Sequence, residues 1–237
     1  MLLLGCIFST YSIADQPGNR SFQMGDGGYG LAGTMLSSEA MAGESVAIQG
    51  SVVIVGAPNN SGGIGEAYIC DGDTLPDPWG NTANLADLIS IASNAAFGTD
   101  VDLHETDIVN GYNMLAVASA PGMNNGMAFV FGRSTLGEWA VLVSLENPAP
   151  GGGGNAFGSS VAVGHDCIIV GDPTANNNNG STYVYLIDPS GAIDTNPFTI
   201  DGPHFDQGGE FGTDIDVLEN MIVVGAPGPL GGNDANG

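Results

Sequence analysis

The chain has 237 residues, 39 of them glycine, and its 26 acidic residues against two basic ones give a formal net charge of −24. Such a charge repels nucleic-acid phosphates and anionic membrane surfaces, so neither is expected as a partner. No apolar run approaches the ~20 residues of a membrane-spanning helix, and the glycines follow no three-residue period. The composition therefore indicates a turn-rich, all-β protein that does not insert into a membrane.

The N-terminal residues 1–14 are typical of a secretion signal. The apolar segment MLLLGCIFSTYSIA ends with small residues at Ser12 and Ala14, the two positions that a signal peptidase recognises. The segment is short and lacks a basic start, so it departs from the usual pattern. We expect cleavage before Asp15 and a protein that is secreted or held at the cell surface.

The next segment, residues 20–36, predicts two strands joined by a glycine-rich turn. From residue 42 onward one pattern recurs four times, in copies that start near residues 42, 97, 157 and 211. Each copy has a short alternating strand, a tight turn, a β-branched strand and a closing proline. An Asn/Gly-rich loop and two further strands follow. Four antiparallel strands in a period of about 55 residues indicate the blade of a β-propeller.

The third and fourth copies carry the most distinctive motifs, FGSSVAV…IIVGDP…GSTYVY and FGTDIDV…MIVVGAP. These motifs resemble FG-GAP repeats, the blade motif of integrin α-subunit propellers, and are closest to the short-turn bacterial variety. The resemblance extends over about residues 42–237, with departures at Ala42, Ser119 and Asp172. It implies an all-β propeller of four-stranded antiparallel blades, usually extracellular and usually used for binding, and it names no ligand.

The ends of the predicted propeller, which spans residues 15–237, leave two arrangements open. The fourth copy has only two strands before the glycine-rich stretch GGNDANG. The strands of residues 20–36 precede the first copy where the third and fourth strands of a preceding blade belong, so they could complete the last blade and close a ring of four. Alternatively, the roughly four blades are a fragment of a larger propeller, typically seven-bladed in the resembled family.

The second copy has a longer turn between its first two strands, and this turn is the candidate for binding Ca²⁺. In calcium-binding FG-GAP copies the corresponding turn is rich in the oxygen ligands that hard cations need. Here Glu105, Asp107 and Asn113 could supply them. Val109 stands where a carboxylate would be expected, so an ordinary polar loop is the alternative interpretation.

A second candidate site lies on the propeller axis. Copies two and four carry aspartate at two alternate positions of the first strand, where copies one and three have Ser and Ala; these aspartates are Asp100, Asp102, Asp214 and Asp216. Because residues two apart on a strand share a face, and the first strand of a blade lies nearest the axis, four carboxylates could surround the central channel. They could bind a cation or ligand, or they could accept hydrogen bonds from neighbouring backbone.

The sequence contains no nucleophile elbow, P-loop or Cys/His metal spacing, so no catalytic apparatus is visible. Trp79 and Trp139, near the fourth strands, are candidates for exposed ligand contacts. Since the loops vary while the strands repeat, we expect a binding or adhesion module, not an enzyme, whose loops recognise an extracellular protein or a glycan. The alternatives are a polysaccharide-acting propeller enzyme with carboxylates around its channel and a purely structural segment of a large surface protein.

Overall fold

The computed structural model describes residues 4–9, 23–24, 27–35, 42–71, 82–150, 156–203 and 208–228. In this part of the chain the protein is all-β, as the sequence predicts, and every pair of neighbouring strands is antiparallel. The helical segments are single turns of four residues, and no helix among the described residues is long and apolar enough to cross a membrane.

Near the N-terminus, β1 (Leu4–Ser9), β2 (Gln23–Met24) and β3 (Gly27–Met35) form a three-stranded sheet in the order β1-β3-β2. Strands β2 and β3 lie within the segment for which the sequence predicts two strands. Strand β3 pairs with both β1 and β2, and no pairing of these strands with the last copy of the repeat occurs among the described strands. Closure of a ring of four by this pair and the secretion signal at residues 1–14 both stay predictions.

Three complete blades follow, each a four-stranded meander in which strands adjacent in sequence are adjacent in the sheet. The first blade contains β4 (Val46–Gln49), β5 (Val52–Ala57), the helical turn α1 (Asn60–Gly63), β6 (Glu66–Asp71), β7 (Thr82–Asn84) and a 3₁₀ turn (Leu85–Leu88). The second contains β8 (Val101–Glu105), β9 (Tyr112–Ala120), β10 (Met127–Ser134) and β11 (Trp139–Glu146). The third contains β12 (Ser160–Val163), β13 (Cys167–Asp172), the helical turn α2 (Ala175–Asn178), β14 (Ser181–Leu186) and β15 (Phe198–Asp201). The fourth blade is described as the two strands β16 (Ile215–Leu218) and β17 (Met221–Val224).

The blades are held together by apolar clusters between successive sheets. Phe97, which opens the second copy, packs edge-on against Phe129 with ring centroids 5.9 Å apart, in the core between the first and second blades. Phe157, which opens the third copy, packs against Tyr183 in the core between the second and third blades. Strands β5 and β13 are buried along their whole length. Their unbroken apolar character is explained by this burial on both faces.

The Asn/Gly-rich loops of the first and third blades fasten each of these blades to the next one. The N–H of Phe97 donates to the Ile64 carbonyl at 2.9 Å, and the N–H of Phe211 donates to the Asn179 carbonyl at 3.0 Å. The run of asparagines at 176–178 has positive φ throughout, 52°, 59° and 66°, a conformation that asparagine adopts more readily than most residues. These loops, which we expected to serve recognition, thus have a packing role as well.

The glycines of the Phe-Gly and Gly-Ala-Pro motifs meet across the blade boundary. A Cβ added to Gly56 would lie 2.0 Å from the Gly98 carbonyl oxygen, and one added to Gly98 would lie 2.3 Å from the Glu66 carbonyl oxygen. Gly98 also has φ +82°. The two motifs of the repeat are therefore two sides of one close backbone contact between successive blades.

Candidate ligand-binding site

The turns that join the first and second strands of the three complete blades lie at one end of the array. We call this end, formed by residues 49–52, 104–114 and 164–166, the turn end. A depression of about 650 Å³ lies there, within the range of pockets that hold small ligands. Its lining is mostly polar and comes from all three blades; it includes Gln49, Glu105, Asp107, Asn113, Arg133 and His165.

The longer turn of the second blade is folded on itself and fastened to the third blade. The N–H of Thr106 donates to the Asn113 carbonyl at 3.1 Å, and Asn110 Nδ2 donates to the Ser190 carbonyl at 3.0 Å. Val109, at the position where a calcium loop would have a carboxylate, is buried in the core between the second and third blades. Its side chain anchors the turn and offers no ligand to a cation.

The three residues proposed to bind Ca²⁺ all line the depression, but their side chains turn to different partners. Asp107 Oδ1 lies 3.0 Å from His165 Nε2 on the third blade, and Asn113 Oδ1 accepts from Arg133 Nη1 at 3.4 Å. Glu105 is exposed at the rim. In the described part of the chain, no three or more His, Cys, Asp or Glu side chains are grouped so that they could hold a metal ion. Calcium binding by Glu105, Asp107 and Asn113 stays a prediction from the sequence.

Arg133 forms a buried ion pair at the wall of the depression. Its Nε donates to Asp71 Oδ2 at 2.8 Å and its Nη2 contacts the same oxygen, which joins the second blade to the first. The two side chains are only 11% and 6% exposed. A buried guanidinium requires such a partner because its desolvation is otherwise uncompensated. The opposite charges of Arg133 and Asp71 therefore cancel at this wall of the depression. The Asn113 amide beside them is a neutral hydrogen-bonding group.

His104 also lines the depression, and burial lowers its pKa, with the nearby His165 lowering it further. Because the ordinary histidine pKa is already below 7, the His104 imidazole is neutral at neutral pH. A neutral imidazole has one donor and one acceptor nitrogen. Together with the amides of Gln49 and Asn113 and the carboxylate of Asp107, it gives the depression both kinds of hydrogen-bonding group.

Comparison with known protein families decides what kind of repeat these blades are. A family model described as FG-GAP repeat matches residues 148–185, which cover β12, β13 and most of β14 of the third blade. The chain carries an FG-GAP repeat. The resemblance read from the sequence is thereby confirmed at the third copy, and FG-GAP repeats are typical of extracellular proteins. Among curated proteins, no relative of the chain is found.

In the array of blades, the aspartates of the second blade fasten it to the third by hydrogen bonds. Asp100 Oδ2 accepts the backbone N–H of Val161 at 2.7 Å, and Asp102 Oδ2 accepts that of Val163 at 2.8 Å. The other oxygen of Asp100 accepts the Ser45 hydroxyl at 2.7 Å. Of the two interpretations offered from the sequence, hydrogen bonding to neighbouring backbone is the one that describes these two residues.

Burial also changes the pKa values of Asp100 and Asp102. Desolvation raises the pKa of Asp100, with a smaller contribution from the negative charge of Asp214. Desolvation likewise raises the pKa of Asp102 to about 6, with smaller contributions from Asp100 and Asp216. The two fourth-blade carboxylates are therefore near enough for their charge to act on Asp100 and Asp102. Asp214 and Asp216 are themselves exposed, and a cation or ligand held by the four stays a prediction.

Of the two tryptophans, Trp139 lies in the described part of the chain. Trp139 begins β11 and packs, partly buried, against the core between the first and second blades. Trp79 lies outside the described residues. A role of either in ligand contact stays a prediction.

Sequence reasoning missed the ion pair of Arg133 with Asp71 and the part that His165 has in the depression. A signal for the first was present: Arg133 is one of only two basic residues in the chain and it interrupts the apolar strand MAFVFGRS. An isolated cation in a buried strand requires a carboxylate partner. No comparable signal marked His165, because its partner Asp107 belongs to the turn of another blade.

Proposed function

We propose that this FG-GAP array is an extracellular binding module that recognises a neutral glycan through the depression at the turn end. The main support for the proposal is the depression itself, whose polar lining comes from three blades. Amide, carboxylate and imidazole groups placed together suit the many hydroxyl groups of a sugar, each of which can donate and accept. A volume of about 650 Å³ is sufficient for a short oligosaccharide.

The electrostatics of the site favour a ligand without negative charge. The carboxylates of Glu105 and Asp107 are exposed at the depression, whereas the guanidinium of Arg133 is already paired with Asp71. The chain as a whole carries a formal charge of −24. Sulfated or uronate-containing glycans would be repelled, both at long range and at the site. A neutral glycan is therefore the class that we propose.

The Asn/Gly-rich loops at the opposite end of the blades are the weaker candidates for recognition. Their carbonyls hold the Phe-Gly segment of the next blade, as seen for Ile64 and Asn179. Shortening such a loop would loosen the array as well as any ligand contact, so loss of binding would not identify the loop as the site. Side-chain substitutions at the turn end avoid this difficulty.

The experiment is a binding screen of the purified chain on an array of immobilised neutral oligosaccharides, with sulfated and uronate-containing oligosaccharides beside them. The test variant is Asn113→Ala, because Asn113 is exposed and its backbone hydrogen bond to Thr106 does not need the side chain. The control is Asn59→Ala, since Asn59 is exposed on the loop between β5 and β6, at the other end of the first blade.

We expect binding to at least one neutral oligosaccharide and none to the anionic ones. Asn113→Ala should weaken that binding at least about tenfold, which corresponds to the loss of one or two hydrogen bonds. Asn59→Ala should bind as the unmodified chain does. Absence of binding to every neutral oligosaccharide would overturn the proposal, and so would equal losses in the two variants.

A further inference from the structure

Three Asn-Gly steps in the described part of the chain differ in their backbone surroundings. They are Asn110-Gly111, Asn125-Gly126 and Asn179-Gly180. A further step, Asn236-Gly237, lies outside the described residues. At Asn-Gly the side-chain amide is lost most readily, because glycine has no Cβ to hinder the approach of its nitrogen to the asparagine Cγ. The fold then decides which of the three steps can react.

The reaction needs a backbone N–H on the glycine that is free to leave its surroundings. The glycine nitrogen loses its proton to a solvent base and bonds to the asparagine Cγ, while the Cγ–Nδ2 bond breaks and ammonia leaves. Water then opens the resulting succinimide ring at either of its two carbonyls, which gives aspartate or isoaspartate. The net change is the hydrolysis of an amide to a carboxylate and ammonia, so it requires water and a base and no oxidant.

The second and third of these steps are held in hydrogen bonds and packed against the next blade. The N–H of Gly126 donates to a carbonyl of its own loop at 2.6 Å, and that of Gly180 does so at 2.9 Å. A Cβ on Gly126 would lie 2.3 Å from the Phe157 carbonyl oxygen, and one on Gly180 would lie 2.1 Å from that of Phe211. Forming a succinimide at either step would break the hydrogen bond and move backbone that the next blade contacts.

The first step lies open at the turn end. The N–H of Gly111 donates to no group in the described part of the chain, and a Cβ at this position would meet nothing within 4 Å. Asn110 and Gly111 are both exposed. Within the described residues the Asn110 side chain makes one hydrogen bond, from Nδ2 to the Ser190 carbonyl at 3.0 Å. This bond is exposed as well, so water can replace it at small cost.

The amide of Asn110 also fastens the longer turn of the second blade to the third blade. It donates to Ser190, and beside it Gly191 packs so closely that an added Cβ would lie 2.5 Å from the Ile108 carbonyl oxygen. A carboxylate has only acceptor oxygens, so in place of this amide it would repel the Ser190 carbonyl. Since Asp107 of the same turn lines the depression, releasing the turn would act on a wall of the candidate site.

We propose that Asn110 is a site of spontaneous deamidation in the folded protein, and that its conversion to aspartate or isoaspartate unfastens the longer turn of the second blade from the third blade. The substrate is the chain itself and the co-reactant is water. The change adds a negative charge at the turn end and, in the isoaspartate product, a methylene group to the backbone of the turn.

The first experiment follows the folded 237-residue chain at mildly alkaline pH by peptide mass spectrometry, with a parallel sample in concentrated urea. We expect Asn110 to gain the mass of amide-to-carboxylate conversion at least about tenfold faster than Asn125 or Asn179, because one hydrogen bond to be broken raises the barrier by about that factor. In urea the three rates should converge. Equal rates for the three steps in the folded chain would overturn the proposal, and so would conversion of Asn110 in urea alone.

The second experiment measures the effect on the turn by amide hydrogen exchange, with Asn110→Asp as the modified form. The matched control is Asn220→Asp, which adds the same charge in the exposed turn between β16 and β17. The N–H groups of Thr106 and Tyr112 hold the longer turn closed. We expect them to exchange at least about fivefold faster in Asn110→Asp than in the control, the change expected for one lost hydrogen bond. Exchange as slow as in the control would overturn the proposed unfastening. Both experiments are made without a glycan, so their outcomes are separate from that of the binding screen.

Discussion

At the scale of single residues, the glycines of the repeat set the spacing between blades. Gly98 has φ +82°, and an added Cβ would lie 2.3 Å from the Glu66 carbonyl oxygen of the preceding blade. Gly111, in the long turn of the second blade, has a similar φ of +88° but open space around the position of a Cβ. The two residues therefore differ in whether a side chain would meet a neighbouring blade, while their φ angles are nearly the same.

We predict that Gly98→Ala lowers the free energy of unfolding by roughly 3 kcal/mol or more, because the methyl group adds a backbone collision to the conformational strain. Gly111→Ala should lose only about 1 kcal/mol, the cost of the left-handed conformation alone. Urea unfolding followed by tryptophan fluorescence measures both. Equal losses for the two substitutions would mean that the close approach of the blades at Gly98 is not a stabilising constraint.

This contact also shows how far sequence reasoning reaches. The four copies, their strand order and the burial of the β-branched strands could be predicted, because periodicity and composition are local signals. The contact of Gly56, the glycine of Gly-Ala-Pro, with Gly98 could not be inferred, since that contact joins residues of different copies and depends on how the sheets pack. Phe97 and Phe157 are likewise recognisable in the sequence as part of a motif. Only the packing of the structure shows that they fill the space between blades.

At the scale of elements, the hydrogen bond from the β12 backbone to the Asp102 carboxylate makes the stability of the array depend on pH. Burial raises the pKa of Asp102 from 3.8 to about 6 in the folded chain. Between pH 3.8 and pH 6, Asp102 is protonated in the folded chain and ionised in the unfolded chain. The stabilisation from this proton is complete below pH 4 and is lost as the pH rises through 6.

We predict that lowering the pH from 7 to 5 stabilises the unmodified chain by about 1 kcal/mol more than it stabilises Asp102→Asn, which cannot take up this proton. Asp87→Asn is the matched control, because Asp87 is exposed in the 3₁₀ turn and its loss changes the net charge equally. Urea midpoints at the two pH values test this. If Asp102→Asn gained as much stability as Asp87→Asn, protonation of Asp102 would not be coupled to folding.

At the scale of the whole molecule, the turn end gathers polar groups from all three complete blades around one depression. Sequence reasoning pointed to the loop residues Glu105, Asp107 and Asn113 and expected a cation. It could not anticipate the depression, because Gln49, Arg133 and His165 come from distant positions whose meeting depends on the blade arrangement.

The most direct test of the account is to locate the binding surface on the folded chain. The neutral oligosaccharide that binds most strongly on the array would be titrated into ¹⁵N-labelled protein, and the amide shifts would be followed residue by residue. We predict that the shifts concentrate at residues 49–52, 104–114 and 164–166 and at Arg133. Shifts that concentrate instead in the Asn/Gly-rich loops at residues 59–65, 121–126 and 174–180 would contradict the assignment of ligand recognition to the turn end.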